Sequence, residues 1–293
     1  MKEVYTSLER KEDAEALSNS AADAVLVALD GLSSSEACKL SADDFKAIKA
    51  VLEKNGKKVF VRANLTLHEN VIERASQLMD FLAEEKVHAI FFSDPAIYYM
   101  AKKLGIEKCL IYEPETLMTS INDARWWIDK GVKAVSVSPL LTLEETAEIL
   151  HAVKESIVTV HGRTLMSRSY RKLLSAYKEA FAVGEELEGR KDLSLVESKR
   201  AEKMPVYEDE TGTLIYSDDV LDSFDFIETI LKEEPMGLLI EGAFLSLEEQ
   251  IEAVAAYRKI LEKADPVEIG KEYRERFSDE PLDSGYYEQK TVR

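Results

Sequence analysis

The chain has 293 residues, 45% of them hydrophobic and 32% charged, with 12 Gly and 7 Pro. That composition excludes a fibrous repeat or extended disorder and fits one large core or two modest ones. A net charge of -18 excludes broad nonspecific nucleic-acid binding, which needs clustered Lys and Arg, so any RNA contact is local or shared with a partner.

The opening MKEVYTSLERKEDAEAL carries charge where a signal peptide needs an apolar run, and no stretch reaches the roughly 18 apolar residues of a membrane span. A cytoplasmic location without a membrane partner is the expectation. Cys38 and Cys109 have no CxxC or histidine spacing around them. They exclude a disulfide framework and four-thiolate ligation by this chain alone.

Taken in order, residues 3–6 read as a short strand, 10–20 as a charged helix, and 24–29 (AVLVAL) as a continuous apolar strand of the kind parallel sheets bury. Residues 33–40 read as loop. A helix over 43–54 ends at Asn55-Gly56, a strand covers 58–63, and 69–85 is an amphipathic helix with Ile72, Ala75, Leu78, Met79 and Leu82 on one face. Strand 88–92 leads to Asp94-Pro95, a cap and first-turn proline for a helix that ends at Gly105. Strand 109–112, helix 122–130, strand 134–137, helix 142–151 behind the capping box at Thr142, and strand 157–160 continue the rhythm.

Regularity then breaks. After His161-Gly162 a loop carries Arg163, Arg168, Arg171 and Lys172 with no acid before Glu179, a cationic island that points to an anionic ligand or to an ordinary solvated helix start. A helix over 173–187, a charged linker at 189–192, a hairpin of strands 205–208 and 213–216 around Asp209-Glu210-Thr211-Gly212, and a helix over 222–232 follow. Residues 237–241 restore a buried strand and 246–263 a helix. The fold predicted is α/β, a (β/α)8 TIM-like barrel with an insertion after strand seven. The divisions are 1–161 for the first seven βα units, 162–235 for the insertion with its basic loop and hairpin, 236–264 for the last strand and helix, and 265–293 for a polar, aromatic tail packed outside or across a mouth.

In a barrel the C-terminal strand ends form the functional rim. They would be Thr6, Asp30, Arg62 with Asn64, Asp94, Glu113, Ser138, His161 and Glu241, with His68 and Glu69 just after strand three. Each has a plainer account. Asp94 reads first as a helix cap, and Glu113-Pro114-Glu115 as a turn or a functional acid. His161 is either an acid–base group, a hydrogen-bond donor or a ligand, or else a buried histidine, and His161 and Glu241 are the catalytic candidates. Arg62, the charge within its strand, either binds an anion or is paired. The anion-binding candidates are thus Arg62, Asn64, His68, Arg163, Arg168, Arg171 and Lys172, with no metal ligands. Trp126 and Trp127 read as core packing or partner contact ahead of base stacking. There is no G-x-S-x-G, H-E-x-x-H, P-loop or G-x-G-x-x-G.

His68-Glu69, Asp94-Pro95, Val160-His161-Gly162-Arg163, Arg171-Lys172-Leu173-Leu174-Ser175, Pro205-Val206-Tyr207-Glu208-Asp209 and Ile240-Glu241-Gly242 together, in this order over nearly the whole chain, resemble the collagenase-like peptidases of family U32. The chain is most similar to the shorter of two paralogues found in Gram-positive bacteria. That resemblance implies a barrel-like domain, a role in forming 5-hydroxyuridine at the tRNA wobble position, prephenate as hydroxyl source, and an iron-sulfur cluster held by cysteines. The cluster-bearing pattern places thiols where Leu165 and Lys172 stand, within 189–197, and near Asp219-Val220, and all are missing here. An arginine usual after Glu241-Gly242 is replaced by Ala243.

The expectation is therefore a tRNA-hydroxylation subunit that binds no cofactor itself. Its mouth holds a small anion such as prephenate, and a longer cysteine-bearing paralogue supplies the cluster and shares the tRNA. The alternatives are a peptidase, as the family name suggests, and a non-catalytic scaffold for that paralogue.

Overall fold

Eight short runs of apolar residues pair side by side, all parallel, and the last closes on the first. In a computed structural model that describes residues 2–34, 38–114, 118–196 and 202–289, these are β1 (Glu3–Ser7), β2 (Ala24–Leu29), β3 (Lys58–Ala63), β4 (Ala89–Phe92), β5 (Leu110–Tyr112), β6 (Ala134–Val137), β7 (Ser156–Ser169) and β8 (Gly237–Ile240). β8 pairs with β1 at Val4↔Leu238 and with β7 at Val158↔Leu238, so the sheet has no open edge in this ring. The predicted (β/α)8 barrel is the fold observed.

Alternation along each strand sorts side chains into two layers. Tyr5, Leu26, Phe60, Phe91, Ile111, Ile157 and Leu239 fill the barrel interior. Val4, Val25, Val59, Val61, Ile90, Val135 and Leu238 face outward into a larger core shared with the helices. Two residues beyond the interior Phe60, Ile111, Ala134, Ile157 and Leu239 come Arg62, Glu113, Ser136, Thr159 and Glu241. The period of two therefore puts a polar layer directly above an apolar one.

The helices match their sequence signals closely. Ser41 caps α2 (Ala42–Lys54) by accepting from Asp44 N, Asp94 caps α4 (Pro95–Leu104) by accepting from Ala96 N, and both capping-box bonds form at α6 (Leu143–Ala152) and α9 (Leu247–Leu261). α3 is Ile72–Glu84 behind one 3₁₀ turn, and α5 is Ile121–Asp129. The predicted helix over 10–20 shrinks to a 3₁₀ turn and α1 (Ala14–Ser18).

The region after strand seven departs most from expectation. The predicted basic loop is strand as far as Ser169, which takes in Arg163 and Arg168 but not Arg171 and Lys172. β7 runs on out of the barrel to Ser169 and pairs antiparallel with Gly212–Asp222, from Asp222↔His161 to Thr213↔Ser169. That strand forms the expected hairpin with Lys203–Asp209, which in turn pairs with Ser194–Val196. Because the pairing partner lies some fifty positions away, nothing local in 163–169 announces it. α7 (Leu173–Phe181) ends well before residue 187, at Ala182 in the left-handed region. The helix predicted to start at 222 is α8 (Ile227–Lys232), since Asp222 is still strand. The tail forms α10 (Pro266–Arg276), packed on α9, and Leu282–Asp283, which pairs with Val220-Leu221; it lies outside the barrel. Of the rim candidates, Glu115 lies outside the described residues, as do residues 35–37 of the 33–40 loop, residue 197 and the tail from 290.

Candidate functional site at the barrel mouth

The polar layer opens into a cleft of about 170 Å³ lined by Arg62, Asn64, Glu113, Ser136, Ser138, Thr159, Arg163, Arg168 and Glu241 among others. Its floor is Arg62, set by β3 above Phe60, with the side chain only 7% exposed. One guanidinium serves two carboxylates. Arg62 NH2 is 2.6 Å from Glu241 Oε1 at the end of β8, and Nε is 2.8 Å from Glu113 Oε2 after β5. Arg62 NH2 also donates to Glu113 Oε1 at 3.2 Å. Two acids on one base leave the floor with a formal excess of negative charge. Arg62 is therefore engaged by protein carboxylates, and the cleft, with Glu9, Glu113 and Glu241 set against Arg62, Arg163 and Arg168, is charge-balanced rather than a cationic cup.

Arg163 enters from the part of β7 that leaves the barrel. Its NH2 pairs with Glu280 Oε2 at 2.9 Å and its NH1 donates to the Ser217 and Asp218 carbonyls, while its buried Nε has no hydrogen-bond partner among the described residues. Burial pushes the Glu280 carboxyl up, Glu249 adds to this, and Arg163 opposes it. Arg168 donates to Ser34 Oγ and lies 4.6 Å from the Tyr170 ring centre. Ser34 in turn donates to Asn64 Oδ1, which fixes the amide at the wall.

His161 is not at the mouth. Strict alternation from Thr159 would turn it inward, but a bulge sets Val160 and His161 opposite the single residue Ile240. The ring faces the outer layer, fully buried among Phe224, Tyr257 and Tyr273. Desolvation lowers its pKa to about 3, so it is neutral. Tyr273 OH donates to the Glu249 carbonyl, so Nε2 of His161 is the donor in its 3.1 Å bond to that hydroxyl.

The following glycine is what the site needs. Gly162 has φ +117°, and a β-carbon there would stand 2.2 Å from the Glu241 carbonyl oxygen. Only glycine lets β7 pass this close, and Glu241 N donates back to the His161 carbonyl at 2.9 Å.

The remaining candidates scatter. Asp94 is a cap, holding Ala96 N at 2.8 Å and Leu67 N at 2.9 Å. Thr6 is buried and bonded to the Ile240 carbonyl and Gln250. Asp30 pairs with Arg74 on the surface. His68 is exposed near Tyr170, Lys172 pairs with Glu188 at 2.6 Å, and Arg171 is exposed; none of the three lines the cleft. The structure thus brings together Arg62, Asn64, Arg163, Arg168 and Glu241. It adds Ser136, Thr159 and Tyr216, of which the first two were legible in strand parity and the third follows from the fold-back of the hairpin.

The donor set does not fit a thiolate-held cluster. Cys38 lies beside the C-terminal end of β2, where Ala28 pairs with Lys39, and Cys109 precedes the first residue of β5, at the other end of the barrel. Among the described residues no three His, Cys, Asp or Glu side chains gather to hold a metal ion. No described helix is long and apolar enough to cross a membrane.

Comparison with known proteins places these features in a family setting. Residues 9–292 match the family model described as Peptidase family U32. The chain is 28% identical over 268 residues to tRNA hydroxylation protein P2 of Bacillus subtilis (strain 168), covering 87% of each. It is 23% identical over 223 residues to tRNA hydroxylation protein P1 of the same organism, covering 73% of this chain and about half, 52%, of that one. A solved U32 peptidase structure aligns at 15% identity and a TM-score of 0.49, over 82% of this chain and 92% of its own.

Proposed function

The chain belongs to peptidase family U32, and we propose that within that family it serves tRNA hydroxylation, as a subunit whose barrel mouth holds a small anion. The relatives named tRNA hydroxylation proteins support the first part, P2 above all, which is matched over 87% of both chains. The observation that carries the second is Arg163: it lines the cleft, is nine-tenths buried, and keeps an unpartnered N–H. A buried, always-charged donor without a partner is costly, and an anionic oxygen would relieve that cost. The ligand we assign is a compact dianion of the prephenate kind, one carboxylate on Arg163 and the other toward Arg168, with Asn64, Ser136 and Thr159 as neutral donors.

In this reading Arg62 is the post that holds Glu113 and Glu241 in place, and Glu241 accepts a hydrogen bond from the hydroxyl of the bound ligand, away from the ligand's carboxylates. The chain binds no iron-sulfur cluster of its own. Where thiols would stand, Leu165 packs against Tyr207, Leu214 and Tyr216, and Lys172 pairs with Glu188. A longer, cysteine-bearing paralogue supplies that chemistry and shares the tRNA. A peptidase reading finds less support, since its candidate base, His161, is sealed in the outer layer.

The test is nucleoside analysis of tRNA from a strain lacking this gene. Loss or marked reduction of 5-hydroxyuridine derivatives is expected, and unchanged levels overturn the proposal.

A further inference from the structure

A second surface stands apart from the mouth, on the outer wall formed by α4 and α5. Two large aromatic side chains are exposed there, Tyr99 at 66% and Trp126 at 50%. They are the ends of a continuous row of rings. Tyr99 lies 5.7 Å from Tyr98, Tyr98 lies 5.6 Å from Trp127, and Trp127 lies 4.7 Å from Trp126, each edge to face. The inner two are buried and tied to the barrel, with Trp127 stacked on Tyr112 at 4.5 Å and set against Phe92 at 5.0 Å. Tyr98 OH donates to the Lys130 carbonyl at 3.0 Å, which locks the two helices together. The exposed rings are thus held at fixed positions by a rigid interior, and a ligand that stacks on them meets little ordering cost.

Cations accompany the rings. Lys130 Nζ lies 5.0 Å from the Trp126 ring centre and Lys102 Nζ lies 5.9 Å from that of Tyr98. Residues 95–133 hold six basic side chains (Lys102, Lys103, Lys108, Arg125, Lys130, Lys133) and five acidic ones, whereas the whole chain has 38 against 56; Lys133 is turned away from the rings, over Phe60 and onto the His88 carbonyl. One of those acids, Glu113, is turned into the mouth and bound to Arg62. Asp123 and Asp129 are the acids on α5 itself.

We infer that this wall is a contact surface for RNA, taking unstacked bases of a looped segment on Trp126 and Tyr99 and the flanking phosphates on Lys102, Lys103 and Lys130. Aromatic faces accept any base, and lysines beside them neutralise backbone charge, a pairing suited to single-stranded nucleic acid. It also meets the constraint set by the acidity of the chain, that any RNA contact be local. The inference rests on the tRNA reading above for the identity of the RNA, and on ring and charge placement for the surface.

The experiment is filter binding of an unmodified tRNA transcript to the purified full chain at about 50 and about 200 mM salt. Wild type is compared with Trp126→Ala/Tyr99→Ala and, separately, with Lys102→Glu/Lys130→Glu, each checked for an unchanged circular dichroism melt. Each double variant is expected to weaken binding by about tenfold or more. The charge variant is also expected to show a shallower salt dependence. Wild-type affinity in both variants overturns the inference, as does a wild-type chain that retains no tRNA. Intact tRNA binding with loss of a co-purifying protein assigns the wall to a protein partner and overturns it as well. tRNA binding that depends on this wall, in a protein whose deletion leaves 5-hydroxyuridine unchanged, sinks the hydroxylation reading and leaves the RNA surface standing.

Discussion

Gly162 and Glu241 touch backbone to backbone: a β-carbon on the first would stand 2.2 Å from the carbonyl oxygen and 2.9 Å from the Cβ of the second. The pairing explains why a histidine–glycine step lies where β7 leaves the barrel. The glycine allows the approach, the approach seats Glu241, and Glu241 holds Arg62 at 2.6 Å. Gly162→Ala should cost about 1–3 kcal/mol from the strained backbone alone. Pushing Glu241 off its partner would add to that loss. Urea unfolding checks this, and a wild-type midpoint contradicts it.

The Arg62 clamp makes a second prediction. Removing the guanidinium leaves the Glu113 and Glu241 carboxylates facing each other with little water to screen them. Arg62→Met is expected to destabilise by about 3–5 kcal/mol, the usual consequence of orphaning a buried charge. Adding Glu241→Gln to that variant should recover part of the loss. If the double variant is no more stable than the single, the two acids do not repel and the clamp is misread.

His161 supplies a pH dependence whose sign is fixed by its burial. Its pKa falls from an ordinary 6.5 to about 3 on folding because desolvation disfavours the imidazolium. Between those values the unfolded chain binds the proton and the folded chain does not, so stability is complete above about pH 6.5 and is lost as pH falls toward 3, by about 1.4 kcal/mol per unit at most from this group. His161→Phe should flatten the slope of stability against pH by one proton in that window while the protein stays folded at neutral pH. An unchanged slope would mean that the ring is hydrated.

Glu208 is a cap borrowed from far away. Fully buried in the hairpin, it accepts from Leu174 N at 2.7 Å and Ser175 N at 2.9 Å, the first turn of α7, and from Thr213 Oγ1 at 2.6 Å. Burial works against its charge, but these donors outweigh it and hold its carboxyl below the usual range. Glu208→Ala should loosen α7 at a cost of about 0.5–2 kcal/mol, as lost caps do. Hydrogen exchange is expected to rise at Leu174 and Ser175, with the barrel strands unaffected.

These features differ in how far they can be read from residues alone. The barrel was legible because each apolar run of four to six residues, followed by a capped helix, is a local signal. Strands 24–29, 58–63 and 134–137 and the caps at Asp94 and Thr142 fall where propensity and capping chemistry place them. Arg62, Asn64 and Glu241 were legible as rim residues for the same reason, and Arg163 and Arg168 as members of the basic segment that follows strand seven. What escaped was non-local. The bulge at Val160-His161 turns a rim histidine outward and is visible only in the pairing with Ile240. The strand over 163–169 exists because a hairpin folds back on it, and the neutralisation of Arg62 and Arg163 depends on Glu113, Glu241 and Glu280, which lie 51, 179 and 117 positions away. Charge counted along the chain showed a cationic island, whereas charge counted in space shows a balanced cleft.

The most direct test of this account compares two variants in a strain lacking the gene, read by 5-hydroxyuridine content of bulk tRNA. Arg163→Ala should fail to restore the modification, because the cleft loses its buried donor, and His161→Phe should restore it, because the ring is sealed in the outer layer, packed and bonded to Tyr273 away from the cleft. Restoration by Arg163→Ala together with failure of a stably folded His161→Phe would contradict the account.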